Sequence, residues 1–229
     1  MLNKIKRLSA AFLALVIIVG SLGLTSAEAA LAKPQNIRFV QWNKLDYSSA
    51  TIAWNRVSGA NWYYVRCCWT DSSHSISGWV KGDCNGVRIN RLNYNHVYRA
   101  QVRGIYIASN GKRTYGPWSN AVYLTPWSKS VSYTQTKNMT AKLQWNVIYG
   151  CNGYNVFMTT APSGKWYWNL TTSVKCGANT GTVKKYRGSP LKKYTNYYVR
   201  VITRRKQNGT FRTVPAPYSI YYQLKLYMK

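Results

Sequence analysis

Acid is scarce in this chain. Its 229 residues include 4 Asp and Glu against 32 Lys and Arg, with 2 His. The shortage is uneven, because residues 127–229 contain no Asp, Glu or His at all. General acid–base, glycosidase and hydrolytic metal chemistry use carboxylates or clustered imidazoles. Half of the molecule therefore lacks nearly every group those reactions need. No Gly-rich phosphate loop occurs. After the first thirty residues no apolar stretch approaches the roughly 20 residues of a membrane-spanning helix, so the mature chain is expected to carry no transmembrane anchor. Metal-ligand spacing is missing too: Cys67-Cys68 are adjacent, and both histidines are remote in sequence from paired ligands. His74 belongs to a polar turn, Asp71-Ser72-Ser73-His74, and nothing orients its imidazole towards Cys68 as a nucleophile would require. His96 has no such partner either. The expectation is a non-enzyme without metal, cofactor or dedicated small-molecule substrate.

What is present begins with a leader. Lys4, Lys6 and Arg7 precede an apolar run from Ala10 to Leu24, and Ala27-Glu28-Ala29 fits a small-residue cleavage site. Residues 1–29 are expected to be removed on export, leaving a secreted, extracellular chain; the leader resembles those of Gram-positive bacteria. No cysteine stands at the cleavage point to take a lipid. The remainder carries 29 basic and 3 acidic residues. Residues 30–126 hold 12 cations with Asp46, Asp71 and Asp83, and residues 127–229 hold 17 cations. Such a field repels itself and attracts polyanions in a salt-dependent way, although it also serves solubility.

An internal repeat sets the architecture. Ala50-x-Ile52-x-Trp54-Asn55 recurs as Ala141-x-Leu143-x-Trp145-Asn146 at an offset of 91, and Tyr63-x-Val65 recurs as Tyr154-x-Val156 at the same offset. Leu92 and Tyr98 match Leu191 and Tyr197 at an offset of 99, so an insertion of eight residues separates the copies. Asn110-Gly111 and Pro117-Trp118-Ser119 answer Asn208-Gly209 and Pro217-Tyr218-Ser219. Each copy alternates with period two, as in Tyr63-x-Val65-x-Cys67 and Tyr98-x-Ala100-x-Val102. Turn signals at Ser58-Gly59, Asn110-Gly111, Pro162 to Gly164 and Asn208-Gly209 separate the runs. Short, regularly spaced strands without helical periodicity predict an all-β sandwich or barrel.

In these motifs each copy resembles a fibronectin type III domain: a strand-B Trp, Tyr-x-Val on strand C, Leu-x5-Tyr entering strand F and Pro-Trp-Ser before the last strand. The resemblance implies two tandem seven-stranded immunoglobulin-like β-sandwiches, at residues 33–126 and 127–229, meeting near Pro126-Trp127 with almost no linker. It also implies a core of Trp54, Tyr63, Leu92 and Tyr98, matched by Trp145, Tyr154, Leu191 and Tyr197. Leu92/Tyr98 and Leu191/Tyr197 correspond to the family's tyrosine corner, whose hydroxyl returns to the backbone. The second copy departs from the first at Tyr218 and at Gly153, where Trp118 and Trp62 stand.

Five cysteines in an exported chain imply at least one disulfide and one odd thiol. With a C–C′ hairpin turning at Ala161–Lys165, Cys151 and Cys176 come within bridging range. In the first copy Cys67–Cys84 is the expected pair, and Cys68 is left pointing outward. All five staying as unpaired thiols is the other reading.

Binding is the expected activity. Lys184-Lys185-x-Arg187, Lys192-Lys193 and Arg204-Arg205-Lys206 are dense in cations, and Trp166 and Trp168 add aromatic faces. Such mixtures suit phosphate or sulfate contact with stacking. Expected partners are an anionic envelope polymer, a glycan or a protein receptor, with nucleic acid bound only non-specifically. Two further readings stand beside this one. The first is a diffusible hormone-like or adhesin-like ligand, since vertebrate hormones of the irisin type are one such domain. For it, Lys81-Gly82-Asp83 is similar to integrin-binding tripeptides. The second is a passive spacer.

Overall fold

Strand β3 (Trp62–Trp69) shows how alternation becomes structure. Tyr63, Val65 and Cys67 are buried while Trp62, Tyr64 and Arg66 on the opposite face stay partly exposed, because successive side chains of a strand point to opposite faces. In the computed structural model the described residues are 30–43, 46–128, 131–136, 139–161, 169–207, 210–212 and 224–227. The expected leader 1–29, residues 162–168 with most of the expected Ala161–Lys165 turn, and the repeat motifs Asn208-Gly209 and Pro217-Tyr218-Ser219 lie outside them. From Leu31 onward the chain forms one compact unit, and every regular element among its described residues is a strand.

Two antiparallel sheets face each other in the first half. One has the order β1 (Arg38–Trp42), β2 (Ser49–Ala53), β5 (Gly86–Asn90); the other runs β4 (Ser75–Lys81), β3, β6 (Tyr98–Ile107), β7 (Arg113–Tyr115), with β8 (Val122–Leu124) also pairing β6. The same order returns in the second half. One sheet is β13 (Thr180–Val183), β10 (Thr140–Trp145), β9 (Val131–Thr136); the other is β12 (Asn169–Lys175), β11 (Gly153–Thr159), β16 (Asn196–Gln207), β17 (Thr210–Arg212), with β18 (Leu224–Tyr227) pairing β16.

The described strands differ from two sets of seven by an added hairpin and by two separate strands in place of the last one in each half, β7 with β8 and β17 with β18. The last strand of the first half is split, because Pro117 has no N–H to give a ladder. There Ser119 substitutes: its Oγ accepts Val102 N–H at 3.0 Å, and Ser119 N–H reaches Val102 O at 2.7 Å. The second half adds a hairpin of β14 (Lys185–Tyr186) and β15 (Ser189–Pro190). This locates most of the insertion. Ala50 pairs with Ile89 and Ala141 with Val183, an offset of 94 that becomes 99 at Leu191.

Each half has its own core. Trp54 meets Tyr63 edge-on at 5.2 Å, and Trp145 meets Tyr154 at 5.4 Å. Tyr63 and Tyr154 hydroxyls accept Val57 and Ile148 N–H at 2.8 and 2.7 Å. Both corners close as expected: Tyr98 OH accepts Asn93 N–H and Tyr197 OH accepts Lys192 N–H, each at 2.9 Å. The cores also reach across the junction. Val97 is fully buried in the second core, while Trp127 and Ile202 join the first. Val97 N–H donates to Tyr149 O at 2.9 Å and Tyr149 N–H to Asn95 O at 2.7 Å. At Gly150 (φ 76°) a Cβ would collide with Thr70, so the two halves touch where glycine permits it.

Candidate functional site

Cations gather around the inserted hairpin. Leu191 is buried at 4 % exposure and the Tyr197 corner fixes the backbone at Lys192. With that anchor set, Lys184, Lys185, Arg187, Lys192 and Lys193 all stand exposed around the β14–β15 hairpin. Arg187 takes the turn at φ 50° and its guanidinium sits 5.5 Å from the Tyr186 ring. Tyr194, 72 % exposed, closes the segment. No acid answers these cations from their own half, and the described acids of the other half are occupied locally. Asp46 accepts Ser48 N–H at 2.8 Å and Asp71 accepts Ser73 N–H at 3.0 Å. That backbone bond, with the Ser73 hydroxyl, holds the Asp71 carboxyl below its ordinary pKa.

The arginines expected to extend this patch do not join it. Arg204 and Arg205 lie seven and eight residues along β16 from Tyr197, about 25 Å at strand rise. Both are half-buried. Arg205 Nη1 donates to Gly150 O at 2.6 Å, and its guanidinium lies 4.9 Å from the Tyr123 ring, so it braces the junction. The Lys206 backbone pairs with Phe211; its side chain, and Trp166 and Trp168, lie outside the described residues.

The Lys81-Gly82-Asp83 segment is a tight turn. Gly82 N–H donates to Asn61 O at 2.9 Å, and a Cβ at Gly82 would stand 2.6 Å from the Asn61 backbone. Close packing explains this glycine. Lys81 and Asp83 are exposed, and Asp83 O accepts from Arg56 Nη2.

Three cysteine expectations meet different outcomes. Cys151 and Cys176 face each other with sulfurs 3.3 Å apart as thiols. Burial, then the hydrogen bond with Cys176, pushes the Cys151 thiol up to about 11. Cys67 and Cys84 are not brought together. Cys67 pairs with Ile76, whereas Cys84 follows Lys81, which pairs with Trp62. The two stand at opposite ends of the hairpin, about 16 Å apart along it, against a disulfide's Cα separation of roughly 4.4–6.8 Å. Cys68 lies on the outward face with Tyr64 and Arg66, as expected, but is buried rather than exposed. Its flanking strands cover it through Ser75 and Arg99, and its sulfur meets Ser75 Oγ at 3.3 Å.

A second surface went unread in the sequence. On the outer face of β4-β3-β6-β7, guanidinium groups stack on rings. Arg66 lies 4.5 Å from the Trp118 centroid, and Arg103 lies 4.4, 4.7 and 5.4 Å from Tyr115, Trp118 and Tyr64. Arg113 sits 5.2 Å from Trp79. The available signal was Trp62-x-Tyr64-x-Arg66, the outward partner of Tyr63-x-Val65-x-Cys67. The rings that complete the layer come from strands remote in sequence.

Two facing antiparallel sheets ordered β1-β2-β5 and β4-β3-β6-β7 define an immunoglobulin-like sandwich. With the tyrosine corners closed, the fold is that of fibronectin type III domains. Solved structures of that kind are similar to the chain. The FN5 domain of Drosophila Lar shows 17% identity over 42% of this chain and 98% of its own, with a TM-score of 0.33. A two-domain fibronectin type III segment of chicken tenascin shows 12% identity over 79% and 97%, with a TM-score of 0.36. A myokine structure shows 15% identity over 42% and 96%, with a TM-score of 0.34. No protein-family model and no curated protein matches the sequence.

Proposed function

We propose that this chain is exported after loss of residues 1–29 and acts as a non-enzymatic binding protein of two modules, 33–126 and 127–229. Its cationic β14–β15 hairpin engages an anionic cell-surface or extracellular polymer. One observation carries this reading: five exposed cations cluster on and beside the β14–β15 hairpin in a half of the chain that contains no acid. Polyanion binding of this kind is driven by counterion release and weakens as salt rises, more steeply the more anionic groups are contacted.

Retention of the full chain on immobilised polyphosphate, eluted with salt, tests it. K185E/K192E/K193E is expected to elute at clearly lower salt, with its thermal melt unchanged because all three side chains are exposed. Elution at the same salt as wild type would remove the hairpin from the function. Reversal of Arg204 and Arg205 is a poor test, since loss of the Arg205 bond to Gly150 disturbs the junction.

A further inference from the structure

The outer face of β4-β3-β6-β7 is layered beyond what the fold needs. Ile105 is fully buried yet belongs to neither core. It lies opposite Trp62 on β3 and Tyr115 on β7, so the aromatic layer roofs it from outside. Within that layer the rings meet at steep angles, 81° for Trp62–Trp79 and 58° for Tyr64–Trp79. Arginines occupy ring faces between them. Arg66 Nη2 is further tied to Gln101 Oε1 at 3.2 Å, whose Nε2 donates to Ser119 O at 3.1 Å. Arg103 is buried at Nε. The Arg66 and Arg103 forks are thus held in place before any ligand arrives, which lowers the ordering cost of binding, while Arg113 rests on the exposed Trp79 ring. The rim of the layer is open: Trp79 is 43 % and Tyr115 46 % exposed.

We propose that this face binds an acidic polysaccharide, one bearing sulfate or carboxylate groups on its sugar rings. Guanidinium groups take such oxyanions through paired N–H bonds. Exposed Trp79 and Tyr115 offer apolar surface to the C–H faces of sugar rings, which a bare phosphate polymer cannot use. The same face also carries Lys81, opposite Trp62, and Arg99, opposite Cys68, so cations stand at both ends of the aromatic layer. The proposal rests on the anion-binding reading above for its class of partner, but on different residues in the other half of the chain.

Titration of the full chain with a short heparin fragment, followed by tryptophan fluorescence, tests it. Heparin is expected to give a saturable change that neutral dextran does not. W79A and R113A are each expected to weaken it by about tenfold, the loss of one charge-assisted or stacked contact. R113K should lie between wild type and R113A, since it keeps the charge and loses the planar stack. Both positions are exposed, so unchanged melting temperatures confirm folding. The K185E/K192E/K193E protein should keep the fluorescence response, which separates the two surfaces. Heparin affinity equal in wild type and W79A or R113A overturns the proposal and leaves the hairpin reading standing. So does loss of the response in the hairpin variant alone. An oligothymidylate that binds tighter than heparin with the same dependence on Trp79 and Arg113 also overturns it, by assigning the face to nucleic acid.

Discussion

His96 sits at the junction, stacked flat on Trp69 at 3.6 Å and 5°, with Tyr149 at 5.1 Å on the other half of the chain. Burial holds its pKa below the ordinary 6.5; Asp71 opposes that shift and His74 adds to it. A depressed imidazole means that the unfolded chain takes up the proton first. Stability is then unaffected above pH 6.5, falls as pH drops from there towards the folded-state value, and levels off below it. Melting temperatures at pH 7.5 and 5 should therefore separate more in wild type than in H96F. An equal separation would exclude His96 as the cause. Cys151 and Cys176 carry the second residue-scale prediction. Under oxidising conditions they should appear joined in a non-reducing peptide map, raising stability by about 3 kcal/mol for a loop of this length. The raised Cys151 pKa makes the reaction slow at neutral pH. A map showing Cys67 joined to Cys84 instead would contradict the geometry. At this scale the sequence was clear wherever period two governs, as at Tyr63 and Tyr154. It failed at Cys68, because alternation gives the direction of a side chain and says nothing of what neighbouring strands lay over it.

Among elements, the β14–β15 hairpin and the split between β7 and β8 were the parts least visible beforehand. The change in offset from 91 to 99 revealed an insertion but not its place, since the residues between Val156 and Leu191 share no repeated motif. Pairing supplies the place, and with it the reason that Lys184, Lys185 and Arg187 stand together while Arg204 and Arg205 lie apart from them. A shared strand or a run of cations in sequence does not make a patch when a strand rises about 3.3 Å per residue. At the split, the buried Ser119 hydroxyl accepts Val102 N–H and donates to Asn120 O at 2.7 Å. S119A should cost about 1–3 kcal/mol, the penalty for a buried donor left unpaired. Urea unfolding measures this, and a midpoint equal to wild type would show that the ladder closes without Ser119.

Taken as a whole, the molecule ties its repeats together more closely than a short connection requires. Val97 lies in the second core, Trp127 and Ile202 lie in the first, and Arg205 spans the boundary to Tyr123. The expected meeting of the modules near Pro126-Trp127 did not reveal these crossings, because both sides of each contact read as ordinary strand or corner residues. Heat unfolding followed by probes in each half, Trp54 in one and Trp145 in the other, should give coincident transitions. Two well-separated transitions would show that the shared contacts do not couple the halves. Near-UV circular dichroism of single Trp-to-Phe variants distinguishes the two outcomes.

The broken last strand has a consequence for behaviour at high concentration. In the first half its pieces are only three residues each, and the stretch between them spends its hydrogen bonds inward on Val102 and Gln101. A neighbouring copy finds no continuous row of amides to dock against on that side. On that edge of the first half, a strand-rich molecule thereby withholds a template for fibre growth.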